Sequence, residues 1–236
     1  DQIALSSRFH DEIYIIDHST TTQEAAGHTG GNSGMGGDFL YRWGNPQGYD
    51  RGSDLDRLLD DQHSVNWIPE GYPGEGNLIL FNNNYGSNSA VFEIVTPINE
   101  DGTYSISPGQ PYGPIEPIWI HTGPFHTQMQ GGAFRLPNGN TLITDCNDAT
   151  IFEVTYDHDI VWVNDFSSGA GPSFIARAQK YPMDYLGGED PDHIHGDVNF
   201  DGLVNLQDGL MVSDMASGFG YAPNSQADFN DNGAVS

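Results

Sequence analysis

The strongest constraint on this chain is that it repeats itself. One stretch runs His63-Ser-Val-Asn-Trp-Ile, Asn77-Leu-Ile-Leu-Phe81, Ala90-Val-Phe-Glu-Ile94 and Pro117-Ile-Trp-Ile120. A second runs Gly132-Ala-Phe-Arg-Leu136, Asn140-Thr-Leu-Ile-Thr144, Ile151-Phe-Glu-Val154 and Asp159-Ile-Val-Trp-Val163. The two match segment by segment: a leading strand, a strand opened by Gly-Asn, a Phe-Glu-(Ile/Val) strand, and a closing strand that carries Trp. Each segment is short, rich in β-branched and aromatic residues, and bounded by Gly, Asn, Asp or Pro, the pattern of strands joined by turns. An earlier stretch supplies Ile3-Ala-Leu-Ser-Ser7, Glu12-Ile-Tyr-Ile-Ile-Asp17 and Asp38-Phe-Leu-Tyr-Arg-Trp43, which read as the last three strands of another such unit.

Four antiparallel strands repeated in series are the signature of β-propeller blades. The expected fold is mainly β: a partial propeller of four-stranded antiparallel blades, followed by a small α calcium-binding module at the C-terminus. A β-sandwich with coincidental similarity is the alternative; the recurrence of Trp43, Trp119 and Trp162 near the end of each unit favours the propeller. Closed propellers hold roughly four to eight blades. An arc of two complete blades and part of a third leaves open sheet edges, which invite association. The sequence opens directly into a strand, so further blades are expected upstream or from another chain.

The expected division is a propeller portion over 1–186, a linker over 187–195 and a calcium module over 196–236. Phe174 to Tyr181 reads as one more strand or a short helical turn packed on the propeller. The acidic run Asp54-Leu-Asp56 to Asp60-Asp61 reads as a short surface helix or loop. His193-Ile-His195 lies in the polar hinge, with the spacing of two residues on one strand face.

Charge narrows the function. Acidic residues number 33 and basic ones 7, a formal charge of -26. Such a surface repels nucleic acid and anionic membranes and suits divalent cations. No apolar run approaches the ~20 residues of a membrane span. Cys146 is the single cysteine, so no intrachain disulfide can form.

The clearest ligand set is Asp197-Val-Asn199-Phe-Asp201-Gly202-Leu203-Val-Asn205-Leu-Gln-Asp208. Oxygen side chains fall at loop positions 1, 3, 5, 9 and 12, glycine turns the chain at 6, and the Leu203 carbonyl serves from 7, the spacing that wraps oxygens around calcium. A second copy begins at Asp228, with Asn230, Asn232, Ala234 and Ser236 in the corresponding places and position 12 missing. From Gly196 to Ser236 these paired loops resemble a type I dockerin. That resemblance implies Ca2+ as cofactor, a secreted or cell-surface setting, and a cohesin-type scaffold as partner; copies of the chain itself are the other partner class.

The β region also resembles a family. Leu5-Ser-Ser-Arg8, Glu12-Ile-Tyr-Ile-Ile-Asp-His-Ser-Thr20, Gly37-Asp-Phe-Leu-Tyr-Arg-Trp-Gly-Asn45, Gln62-His63 and Arg135-Leu-Pro-Asn-Gly-Asn-Thr-Leu-Ile143 are similar to arylsulfate sulfotransferase propellers. The resemblance implies that His63 is the nucleophile that takes up a sulfuryl group and that Arg8 holds the sulfuryl oxygens. Two functions are therefore expected to compete. One is a secreted calcium-binding propeller with a binding or structural role in an extracellular assembly. The other is sulfuryl transfer between phenols through a sulfohistidine at His63.

Overall fold

In a computed structural model the described residues are 1–167 and 174–181. Asp1–Lys180 form one unit. Among the described residues eleven strands fall where the apolar segments predict them, and they build three antiparallel sheets in chain order. The fold is thus mainly β.

The first sheet contains β1 (Gln2–Ser7), β2 (Glu12–Asp17) and β3 (Tyr41–Trp43). A 3-10 turn over Arg8–His10 joins β1 to β2, and Asp11 closes it at φ 55, in the left-handed region that Asp tolerates better than most residues. The second sheet contains β4 (His63–Trp67), β5 (Leu78–Tyr85), β6 (Asn88–Ile94) and β7 (Trp119–Thr122). The third contains β8 (Gly132–Arg135), β9 (Thr141–Asp145), β10 (Thr150–Val154) and β11 (Ile160–Asp165). Each sheet is an up-and-down meander.

The sheets stack face to face, with the second in the middle. In β5 the residues from Leu78 to Asn83 are all buried, because both faces of that strand are covered. Alternation sorts them. Leu78 and Leu80 pack with Ile13, Ile15, Tyr41 and Trp43 of the first sheet. Ile79 and Phe81 pack with Ala133, Ile143 and Phe152 of the third.

The leading strands of the second and third sheets, β4 and β8, each lie against the sheet before. Ser6 Oγ donates to the Gln62 carbonyl at 3.0 Å, and Asn66 Nδ2 donates to the Ala133 carbonyl at 3.0 Å. Between the second and third sheets sits a buried ion pair, Arg135 with Glu93. The guanidinium lies 5.3 Å from the Trp119 ring and 5.7 Å from that of Tyr156. Asn77 donates to the same carboxylate at 2.6 Å.

Two expectations change. Phe174–Tyr181 is neither strand nor helix: it follows the third sheet through isolated hydrogen bonds, from Ile175 N–H to the Cys146 carbonyl at 3.2 Å, and from Gly131 N–H to the Ala176 carbonyl and Ala178 N–H to Thr144 Oγ1, both 3.0 Å. The three matched tryptophans are not equivalent in burial. Trp43 and Trp119 are 1 % and 4 % exposed, whereas Trp162 is 46 % exposed on the outermost strand. The acidic run does form a short 3-10 turn, Asp54–Asp56, capped by Ser53.

Candidate functional site

Arg8 and His63 come from the same end of neighbouring sheets, Arg8 from the turn after β1 and His63 from the first position of β4. Gln62 lies between them, fully buried, and its Nε2 donates to the Glu12 carbonyl at 2.8 Å and to Ser6 Oγ at 3.3 Å. That bond set ties the start of the second sheet to the first.

His63 is held by a chain of bonds that fixes its tautomer. Asn83 is fully buried, and its Nδ2 donates to the carbonyls of Thr127 and Gln130, both at 2.9 Å. Two carbonyl acceptors can be met only by the amide nitrogen, so Asn83 Oδ1 must face His63. His63 Nδ1 therefore carries the proton and donates to Asn83 Oδ1 at 2.8 Å. Nε2 is left with its lone pair, toward which the Gln130 N–H points at 3.3 Å.

Arg8 is engaged differently. Its Nε and Nη2 donate to the two carboxylate oxygens of Asp61 at 2.9 and 3.2 Å. The bonded guanidinium draws Asp61 below the usual carboxylate range, and the carboxylate raises Arg8 in return. Asp61 also donates its own N–H to Asp11 Oδ1 at 2.9 Å. Around this pair, Asn84 Nδ2 donates to Asp60 Oδ1 at 2.9 Å, and Arg57 Nη1 donates to Asp11 Oδ2 at 2.7 Å.

Asp11, Asp60 and Asp61 are close enough for one oxygen of each to reach a common cation. Calcium requires six to eight oxygens. Here the carboxylates already accept from two arginines and an asparagine, so an ion would have to displace those donors. The arrangement is an ion-pair network and does not fit a calcium site as it stands.

Four non-glycine residues at this end have positive φ: Asp11 (55), Asp61 (57), Ser64 (59) and Gln130 (63). Backbone in that region costs free energy and persists where surrounding bonds over-determine it, commonly at functional sites.

Other titratable side chains stand in different surroundings. His121 lies in β7 and is 5 % exposed, stacked on Trp119 and Phe125 at 5.8 and 6.0 Å between centroids. Its Nδ1 is 3.3 Å from Nδ1 of His158. Burial, with the second imidazole adding to it, pushes His121 down to about 4. His126 is exposed and reaches Asn84 Oδ1 at 3.3 Å. Cys146 is buried, and burial raises its thiol. One cavity of about 440 Å³, lined by Trp43, Tyr49, Leu58 and Tyr112 among others, does not include His63 or Arg8.

The residues expected to bind calcium, Asp197, Asn199, Asp201, Leu203, Asn205, Asp208, Asp228, Asn230, Asn232, Ala234 and Ser236, lie outside the described residues, as do His193 and His195. Sequence reasoning did not assign Asp61, Asn83 or Gln130 to the site. The signals were present: Asp60-Asp61 immediately precedes Gln62-His63, and Asn82-Asn83-Asn84 is a polar run inside a strand that is otherwise apolar.

No protein-family model matches the sequence, and no curated protein matches it. Among solved structures, the chain is similar to a protein of unknown function from Bacteroides caccae, at 16 % identity and a TM-score of 0.35. The similarity covers 69 % of this chain and 40 % of that one, so the chain spans less than half the length of that protein.

Proposed function

We propose that this chain is part of a β-propeller with a binding or structural role in an extracellular assembly, stabilised by calcium at Asp197–Asp208, with a cohesin-type scaffold or further copies of itself as partner. The observation that carries a binding role over catalysis is the Arg8–Asp61 pair. The guanidinium that would hold sulfuryl oxygens spends two of its donors on a carboxylate, and Asp60 and Asp11 stand beside it. An aryl sulfate would meet a compensated arginine in a field of carboxylates, and the formal charge of -26 repels anions further.

Sizing the protein in calcium and in chelator tests this reading. Particles larger than one chain are expected in calcium, and a monomer in both conditions defeats the proposal.

One observation favours a second reading, sulfuryl transfer. His63 is held with Nδ1 protonated and Nε2 bearing its lone pair, the form a nucleophilic imidazole needs. Nε2 would attack sulfur, the ester S–O bond would break and a phenolate would leave. Turnover of a chromogenic aryl sulfate that His63→Ala abolishes would establish this reading and overturn the first. Turnover unchanged by that substitution would sink the second.

A further inference from the structure

Two imidazoles meet where the second sheet touches the third. His121 is a buried side chain of β7, and His158 is an exposed one on the turn between β10 and β11. Their Nδ1 atoms are 3.3 Å apart and their ring planes differ by 20°. That separation is at the long edge of hydrogen bonding, since N–H donors usually sit ~2.7–3.2 Å from their acceptors. It matches a second geometry. Two nitrogens, each ~2.0–2.1 Å from one tetrahedral zinc ion, stand about 3.3–3.4 Å apart.

The pair is held in place from both sheets. His158 has φ 74, in the left-handed region that His enters more readily than most residues. Its turn is closed by Thr155 N–H to the Asp159 carbonyl at 2.9 Å, His158 N–H to the Thr155 carbonyl at 3.1 Å and Asp159 N–H to Thr155 Oγ1 at 3.1 Å. Trp119 pins that turn to β7. Its Nε1 donates to the Tyr156 carbonyl at 2.8 Å, and its indole stacks on Tyr156 and His158 at 5.9 and 5.4 Å between centroids. The same indole stacks on His121. Both imidazoles are thus positioned by packing before any ligand arrives, as a binding site requires.

Their protonation state also suits a ligand role. Burial, with His158 adding to it, keeps His121 neutral down to about 4, and the neutral imidazole is the form that binds a metal. Without metal, one Nδ1 carries the hydrogen that lies between the rings. An ion takes that place when this ring changes to its Nε2–H tautomer, with no net release of a proton, and the exposed His158 ring turns to aim its lone pair at the ion. Among the described residues no third His, Cys, Asp or Glu shares the reach of this pair. A closed structural zinc site has four protein ligands, so this one keeps positions for water. A cleft of about 360 Å³ lined by Phe125, Phe152, Ile160 and Val163 opens beside it.

We propose that His121 and His158 form a two-imidazole site for an exchangeable divalent ion of the zinc class, bound through both Nδ1 atoms with water in the remaining positions. Imidazole suits such ions, whereas the hard cations calcium and magnesium take oxygen. The site therefore differs in metal and in place from the calcium loops, and the inference goes beyond the assembly role without resting on it.

The test is a Zn2+ titration of the full chain against a chromophoric chelator, in excess Ca2+ so that oxygen sites are filled. His121→Phe keeps the ring stack, and His158→Asn keeps a residue that tolerates positive φ. Each is expected to weaken zinc binding by at least ~10-fold, because even the outer partner of a metal ligand is commonly worth ~10–100-fold. The double substitution is expected to lose little more than either single one. His193→Ala with His195→Ala, the other close pair of histidines in the sequence, is expected to leave this binding in place. Zn2+ should also raise the melting temperature of the native chain and of neither His121→Phe nor His158→Asn. Zinc affinity unchanged by His121→Phe or His158→Asn, affinity lost instead with His193 and His195, displacement of Zn2+ by the excess Ca2+, or an equal rise in melting temperature in all three chains overturns the inference.

Discussion

His63 owes its chemical state to Asn83. The buried amide can satisfy two carbonyls only by presenting its oxygen to the imidazole, so the tautomer is set from a neighbouring strand. In Asn83→Ala the preference should disappear. Nitrogen shifts should report a single protonated Nδ1 in the native chain and a mixture of tautomers in the variant; a native mixture would contradict the assignment. His121 gives a second residue-level expectation. Its folded value of about 4 lies below the ordinary 6.5, so the unfolded chain binds the proton first. The stability that the neutral imidazole contributes is whole above about 6.5 and is lost as pH falls toward 4, by on the order of 2 kcal/mol. Melting temperatures should decline through that window. His121→Phe, which keeps the stack with Trp119 and Phe125, should flatten the decline; an equal decline in the variant would place its cause elsewhere.

At the scale of elements, the Glu93–Arg135 pair holds the second and third sheets together. Both side chains are almost wholly buried, and burial lowers Arg135 while Glu93 opposes the shift. Removing one partner strands the other's charge. Arg135→Leu should cost about 3–5 kcal/mol in denaturant unfolding, and the double substitution with Glu93→Leu should recover much of that. Additive losses would show that the pair is not coupled. Strand positions were legible in the sequence because each strand carries its own β-branched run between Gly, Asn or Pro turns. The pairing of Phe92-Glu93 with Phe152-Glu153 was legible because the register is the same. The Arg8–Asp61 pair was not, because its members lie 53 residues apart and only the side-by-side placement of β1 and β4 joins them. The course of Phe174–Tyr181 was hidden for a similar reason: its alternation is that of a strand, but its backbone bonds run to Gly131, Cys146 and Thr144, positions far away in sequence.

At the scale of the whole molecule, the outer sheets of the stack carry exposed apolar side chains among the described residues, Leu5 and Phe39 on the first and Ile160 to Val163 on the third. An acidic chain gains from such burial only where like charge is held apart or neutralised, so salt should strengthen association. Raising ionic strength from about 0.05 to 0.5 M should shift the equilibrium toward the larger particle; dissociation by salt would mean that surface ion pairs, not apolar burial, hold it together. Sedimentation equilibrium of the full chain, in calcium and again in chelator, tests the assembly role most directly. The account predicts particles of more than one chain in calcium. A single chain at micromolar concentration in both conditions would contradict it.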